Sequence, residues 1–180
     1  MKKTHNGDLV IKTAHFSIRD YMGAHWTWWN GPSHGNGLNG VPEHDPRSFR
    51  LVEVDFAEEV DFSLPALGDK SMLGEVKLNA LRSSGCILYG VNVAAGLLED
   101  YRLKRQHRLA KASVLEHLAQ SRPGFRIDFF GNVLRGGSPS RPCRAVLRLF
   151  RGSEDWHVGF APLNQIFNGH DLTVISKIRL

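Results

Sequence analysis

Hydrophobic and polar positions alternate with a period of two along several stretches of this chain, and with a period near 3.6 along one. Residues 9–21 read as one or two strands, with Phe16, Ile18 and Asp20 on one side and Ser17, Arg19 and Tyr21 on the other. In residues 49–64, Val52, Val54, Phe56, Val60, Phe62 and Leu64 hold one parity against Glu53, Asp55 and Asp61, which predicts two strands bent near Ala57-Glu58-Glu59. Pro65 to Lys70 reads as a turn, and Met72 to Leu81 as a short strand or the start of a helix. From Val93 to Gln120 the pattern is helical: Leu103, His107, Ala110, Val114 and Leu118 recur at spacings of three and four and share one face. Arg122-Pro123-Gly124 carries the stop chemistry of a helix end. Beyond it, 125–130, 144–150, 156–160 and 172–180 read as strands, 135–142 as a Gly/Ser/Pro/Arg loop and 163–169 as a short helical turn. Strands, a helical block, then strands again predict an α+β fold: a mainly antiparallel sheet packed with one long helical block in the middle of the chain.

Residues 30–48 interrupt this pattern with a long Gly/Pro/His-rich loop, of a length that inside a compact domain is usually functional or mobile. No repeat and no linker is visible, so residues 1–180 read as a single α+β domain, long enough to bury a substantial core.

Composition narrows the class of function. With 42% hydrophobic and 23% charged residues the chain is globular rather than disordered. Its 23 Lys+Arg against 18 Asp+Glu leave a formal charge of +5, which favours anionic partners. Cys86 and Cys143 form no CxxC pair, and Leu9-Val10-Ile11 is cut off by Lys12 before any signal-peptide core develops. No apolar run approaches the length of a membrane span. The expectation is a soluble, intracellular protein, neither secreted nor transmembrane, whose membrane contact, if any, is peripheral.

The candidate chemistry is mostly cationic. Lys104, Arg105, Arg108 and Lys111 fall on one helix face and could track phosphates or an acidic lipid surface. Arg135, Arg141 and Arg144 sit in or beside the 135–142 loop and could join that stripe, with Arg148 and Arg151 on the next strand. Trp26, Trp28 and Trp29 adjoin the long loop; Trp26 and Trp28 share one strand face, Trp29 the other, and they serve either as core or as an interface or stacking platform. Gly35-Asn36-Gly37-Leu38-Asn39-Gly40 matches G-x-G-x-x-G, but Pro42 and Pro46 follow where a dinucleotide loop must open a helix, so it reads as a turn-rich loop. Glu75-Val76-Lys77 with Asp61 upstream looks like the acid and E-x-K of metal-dependent PD-(D/E)xK nucleases, which need both on adjacent strands of a hairpin. Nine histidines show no metal-ligand spacing, and no nucleophile or phosphate-loop motif is present, so neither a cofactor nor a small-molecule substrate is expected.

Size, basic balance and element order resemble the small matrix proteins of plant rhabdoviruses and related negative-strand RNA viruses. The stretches that carry the resemblance are Phe49–Leu64, Lys104–Lys111, Arg144–Phe150 and Leu172–Leu180. It implies a sheet packed against helices, surface basic residues, and self-association under a membrane around a nucleocapsid. PPxY and P(T/S)AP budding motifs are missing. The reading that results is a non-enzymatic structural or binding protein that uses basic residues against RNA, ribonucleoprotein or acidic membrane and self-associates. The PD-(D/E)xK nuclease using Asp61, Glu75 and Lys77 is the enzymatic alternative, and a protein-binding regulator or inhibitor is a third.

Overall fold

The longest hairpin of the chain organises everything else. The structure, a computed structural model, describes residues 9–62, 67, 70–107, 112–121, 124–138 and 140–177. Its elements in chain order are β1 (Val10–Lys12), α1 (Ile18–Met22), β2 (Thr27–Trp28), α2 (Pro46–Phe49), β3 (Glu53–Asp55), β4 (Val60–Asp61), β5 (Met72–Leu73), α3 (Gly74–Ser83), α4 (Val91–Gln106), α5 (Val114–Ser121), β6 (Arg126–Ser138), β7 (Arg141–Arg151), β8 (Trp156–Pro162), β9 (Ile166–Phe167), β10 (Leu172–Thr173) and β11 (Ile175–Ser176). The central sheet runs β10-β6-β7-β8, with β2 also on β6. Its pairings are antiparallel except β10 on β6, and three small antiparallel ladders join β1 to β3, β4 to β11 and β5 to β9. The fold is α+β, and mainly sheet.

Alternation along β7 sorts its side chains to two faces. Leu147 and Leu149 join Leu97, Leu98, Val114, Leu115, Ile127 and Phe129 in one core cluster, under α4 and α5. Val146 joins Leu78, Leu81, Phe130, Val133, Ala161 and Phe167 in the other, under α3 and β9. Both faces of the hairpin are therefore covered, and each fully buried aliphatic side chain stabilises it by about 1.5–3 kcal/mol.

The helical block predicted as one unit is broken in two. α4 ends at its C-cap residue His107, and α5 starts from a capping box in which the Ser113 N–H donates to Glu116 Oε2 (2.9 Å) and the Glu116 N–H to Ser113 Oγ (3.2 Å). The buried face of α4 is made of Val91–Leu98 and Tyr101, whereas Leu103 and His107, expected on the apolar stripe, are exposed. Ala110 lies outside the described residues. The α4 N-terminus lacks a local side-chain cap. Distant residues replace it: Asn132 Oδ1 accepts from the Val91 N–H (3.0 Å) and Ser48 Oγ from the Gly90 N–H (2.9 Å).

Other expectations are corrected in the same way. Residues 18–22 are helix, not strand, because the Ser17 side chain caps them by accepting from the Asp20 N–H (3.4 Å). The 135–142 loop is instead the tip of the β6–β7 ladder, paired as far as Ser138↔Arg141. Glycines are admitted there because an aromatic fills their space: a Cβ on Gly136 would stand 2.4 Å from the Trp26 ring. The helical turn expected at 163–169 contains β9, and the single closing strand divides into β10 and β11, which join different ladders.

Residues 30–48 are folded onto the sheet where β6 changes register against β7, between Phe129 and Leu134. There the Asp45 N–H donates to Gly131 O (2.8 Å), the Val133 N–H to Glu43 O (2.9 Å) and the Gly131 N–H to Tyr89 O (3.0 Å). The approach demands glycine, since a Cβ on Gly131 would lie 2.3 Å from Leu88 O. The G-x-G-x-x-G stretch wraps Trp29: Gly37, at φ +72°, has that ring where its own side chain would be.

Candidate functional site

Of the predicted basic helix stripe, Lys104 and Arg105 occupy the last turn of α4, where cations favour the helix dipole; Arg108 and Lys111 lie outside the described residues. Neither described member is unengaged. Lys104 Nζ pairs with Asp100 Oδ1 (2.9 Å). Arg105 pairs with Asp155 and donates to Tyr101 Oη (2.8 Å) and Glu154 O (3.1 Å), tying α4 to the β7–β8 turn. The Tyr101 hydroxyl is pushed above its ordinary pKa by burial and by its hydrogen bond to Asp155.

The three other predicted arginines do not extend this stripe. Arg141 opens β7 and Arg151 closes it; ten residues of strand separate them by about 33 Å, and Arg141 is at the far end from α4's last turn. Arg135 and Arg144 face one another in the ladder, and both are buried. Arg135 Nε donates to Asn36 O (2.7 Å), holding the long loop. Arg144 stacks over Trp29 (5.5 Å), pairs with Glu75 and binds both oxygens of Glu43 (2.6 and 2.7 Å), while Glu43 also meets Arg82 (2.6 Å). Trp29 is core; Trp26 is half-buried against Phe160 (4.3 Å between ring centroids) and Trp28 against Phe49 (6.2 Å).

The hairpin required by the nuclease reading does not form. Glu75 and Lys77 are in the first turn of α3, where residues two apart diverge by about 200°. Glu75 turns to Arg144, Lys77 turns inward to Phe130 and Phe167 (5.5 and 5.7 Å to the ring centroids), and Asp61 lies in β4, which pairs β11. Among the described residues no group of three His, Cys, Asp or Glu side chains is placed to hold a metal ion.

Lys77 instead belongs to a buried charge cluster that sequence reading missed. Arg148 binds Asp128 through two hydrogen bonds and reaches Asp171 (3.3 Å), and its guanidinium lies over Phe167 (5.2 Å). Burial pulls the Lys77 ammonium below its ordinary pKa, against the opposing charges of Asp128 and Asp171. Burial also pushes the Asp128 carboxyl up, against its hydrogen bonds from Arg148. Through Arg148 and Lys77 over Phe167, and Lys77 over Phe130, the cluster ties α3 and β9 to the central sheet.

Beyond this cluster, at the end of the sheet next to the β7–β8 turn, the same face is open. Arg126↔Phe150↔His157 form one cross-strand row, and all three are exposed. The Phe150 ring and the His157 imidazole are stacked at 5.5 Å with 29° between planes. Arg126 on this face and Arg151, one residue on from Phe150 and so on the opposite face, are exposed, and neither side chain has an ion pair or hydrogen bond among the described residues. A cleft of about 370 Å³ lined by Tyr101, Arg102, Arg105, Gln106 and Asp155 lies on the α4 side of the same turn. The row depends on hairpin register, so periodicity alone offered no signal for it. Comparison with protein-family models, with curated proteins and with solved structures finds no match for this chain.

Proposed function

We propose that this chain is a non-enzymatic binding protein that uses its basic surface against RNA or ribonucleoprotein, or peripherally against an acidic membrane, and that it self-associates as a matrix-like structural protein. One observation carries the reading: the Arg126 and Arg151 side chains are exposed and unpaired among the described residues, at the end of the sheet where Arg105 of α4 meets the β7–β8 turn, while Arg135, Arg144 and Arg148 are engaged inside the fold. Exposed, unpaired guanidinium groups are the ones able to displace counterions from a polyanion; a buried arginine already bound to carboxylates is not. No helix among the described residues is long and apolar enough to cross a membrane, so lipid contact would come through this surface.

The test is charge reversal at Arg126 and Arg151 together, read by fluorescence anisotropy on RNA oligomers and by co-sedimentation with phosphatidylserine vesicles over a salt series. Binding is expected to weaken about tenfold or more in the double variant and to fall steeply with salt in the wild type. Unchanged affinity, or affinity indifferent to salt, would remove the basic surface as the binding site. Reversal at Lys104 and Arg105 is a poorer probe, because it would set new carboxylates beside Asp100 and Asp155.

A further inference from the structure

We infer that the Phe150–His157 pair is a shelf on which an unpaired base of single-stranded RNA stacks, with Arg126 holding the adjacent phosphate; this rests on the proposed RNA-binding role and assigns it a ligand form and a contact point. The two rings stack on one another at 5.5 Å with 29° between planes, on an exposed cross-strand row of the sheet, and Phe150 is 37% exposed. Phe150 is seated low. A Cβ on Gly159 would come within 2.9 Å of Phe150 Cε1, so the ring occupies space that a side chain at 159 would take. Gly159 lies opposite Arg148 in the next row, so the seat adjoins the Asp128–Arg148 pair. On the other side, a Cβ on Gly152 would meet His157 Nε2 at 2.6 Å, so the imidazole also fills space left by a glycine. Two glycines thus leave the room beside the backbone that the edges of the stacked rings occupy.

The occupant follows from chemistry and charge. A ring stacked on a second ring, and one strand from an unpaired guanidinium, offers an outer π face and a phosphate partner at side-chain reach of each other. Aromatic shelves with flanking cations take single strands, because only an unpaired base can leave its own stack to join them. Duplex RNA presents phosphates to Arg126 and Arg151 but no free base. A membrane would call for an apolar side chain that projects from this row, whereas Phe150 is 37% exposed and stacked against His157, and its other row members, Arg126 and His157, are polar.

The experiment compares four probes on the full chain: a single-stranded RNA 12-mer, a duplex RNA of equal length, inorganic polyphosphate and phosphatidylserine vesicles. Phe150→Leu keeps an apolar side chain and removes the ring, and Gly159→Ala lifts the ring from its seat. Both are expected to weaken single-strand binding about tenfold, within the range of one stacked base, while duplex and polyphosphate affinities stay within about twofold. Arg126→Ala should weaken all three polyanions. If Phe150→Leu leaves single-strand affinity unchanged, or lowers duplex and polyphosphate binding equally, the shelf is overturned while the basic-surface reading stands. Vesicle binding that requires Phe150, with single-strand binding that does not, would overturn it in favour of a membrane contact. A wild-type protein that binds none of the four overturns both readings.

Discussion

Asp128 and Arg148 sit directly opposite one another across the β6–β7 ladder, joined from Nε to Oδ1 at 2.6 Å and from Nη2 to Oδ2 at 2.9 Å. The carboxylate has no solvent exposure, so the pair is satisfied only as a pair. Arg148→Met is expected to destabilise the protein by about 3–5 kcal/mol, because it strands a buried charge, whereas Asp128→Leu with Arg148→Met should recover most of that loss. Urea unfolding of the three proteins checks this. A single-variant cost under about 1 kcal/mol would show that the pair is dispensable.

Lys77 gives stability a pH dependence. Its folded pKa is depressed, chiefly by burial, so between that value and the ordinary lysine value of about 10.4 the unfolded chain holds more protons than the folded one. Stability contributed by this group therefore rises as pH climbs through that window, and is lowest below it, where the ammonium is charged in both states. Urea midpoints of wild type should rise relative to Lys77→Met as pH increases from neutral toward 10. A constant difference between the two proteins across that range would contradict the assignment.

Arg144 clamps the long loop. It binds Glu43 from the loop and Glu75 from α3 while stacking on Trp29. Arg144→Met should leave both carboxylates short of a partner, cost about 2–4 kcal/mol and expose residues 30–44 to protease. Limited proteolysis with mass mapping reads this directly, and a cleavage pattern identical to wild type would mean that the loop is held by its backbone hydrogen bonds alone.

The Ser113–Glu116 capping box separates α5 from α4. Ser113→Ala removes one half of a reciprocal cap, and the expected cost is about 1 kcal/mol. Glu116→Ala should cost a similar amount, and the double variant less than the sum, since both act on one motif. Strict additivity in chemical unfolding would mean that the two contacts are independent.

Much of the architecture is legible in the chain because it follows from local periodicity. The strands of β7 and β8 and the burial of Val54, Phe56 and Val60 match their alternation. The opposite orientations of Trp28 and Trp29 follow from adjacent places on extended backbone. Ser113-Val114-Leu115-Glu116 is itself a sequence signal for a helix start, and it marks the break that an uninterrupted apolar stripe concealed. Residues 135–142 misled for a compositional reason: Gly136 normally signals a turn, but here Trp26 fills the space and the ladder continues.

The candidate site was less legible, because exposure and partnership are properties of pairs. Arg135, Arg144 and Arg126 are indistinguishable as cations in the sequence; register and the packing of loop and helix bury the first two and leave the third at the open end of the sheet. Glu75 and Lys77 lie close together in the chain, yet the helix turns them to different neighbours.

The sequence alone determined the α+β class and the cationic balance, because side-chain periodicity and formal charge are local or additive quantities. Only the tertiary structure decided which arginines are free and that Arg126, Phe150 and His157 share a row. A cross-strand row depends on the register between segments that meet only when the hairpin closes, and a single-residue slip would turn every one of its side chains to the other face.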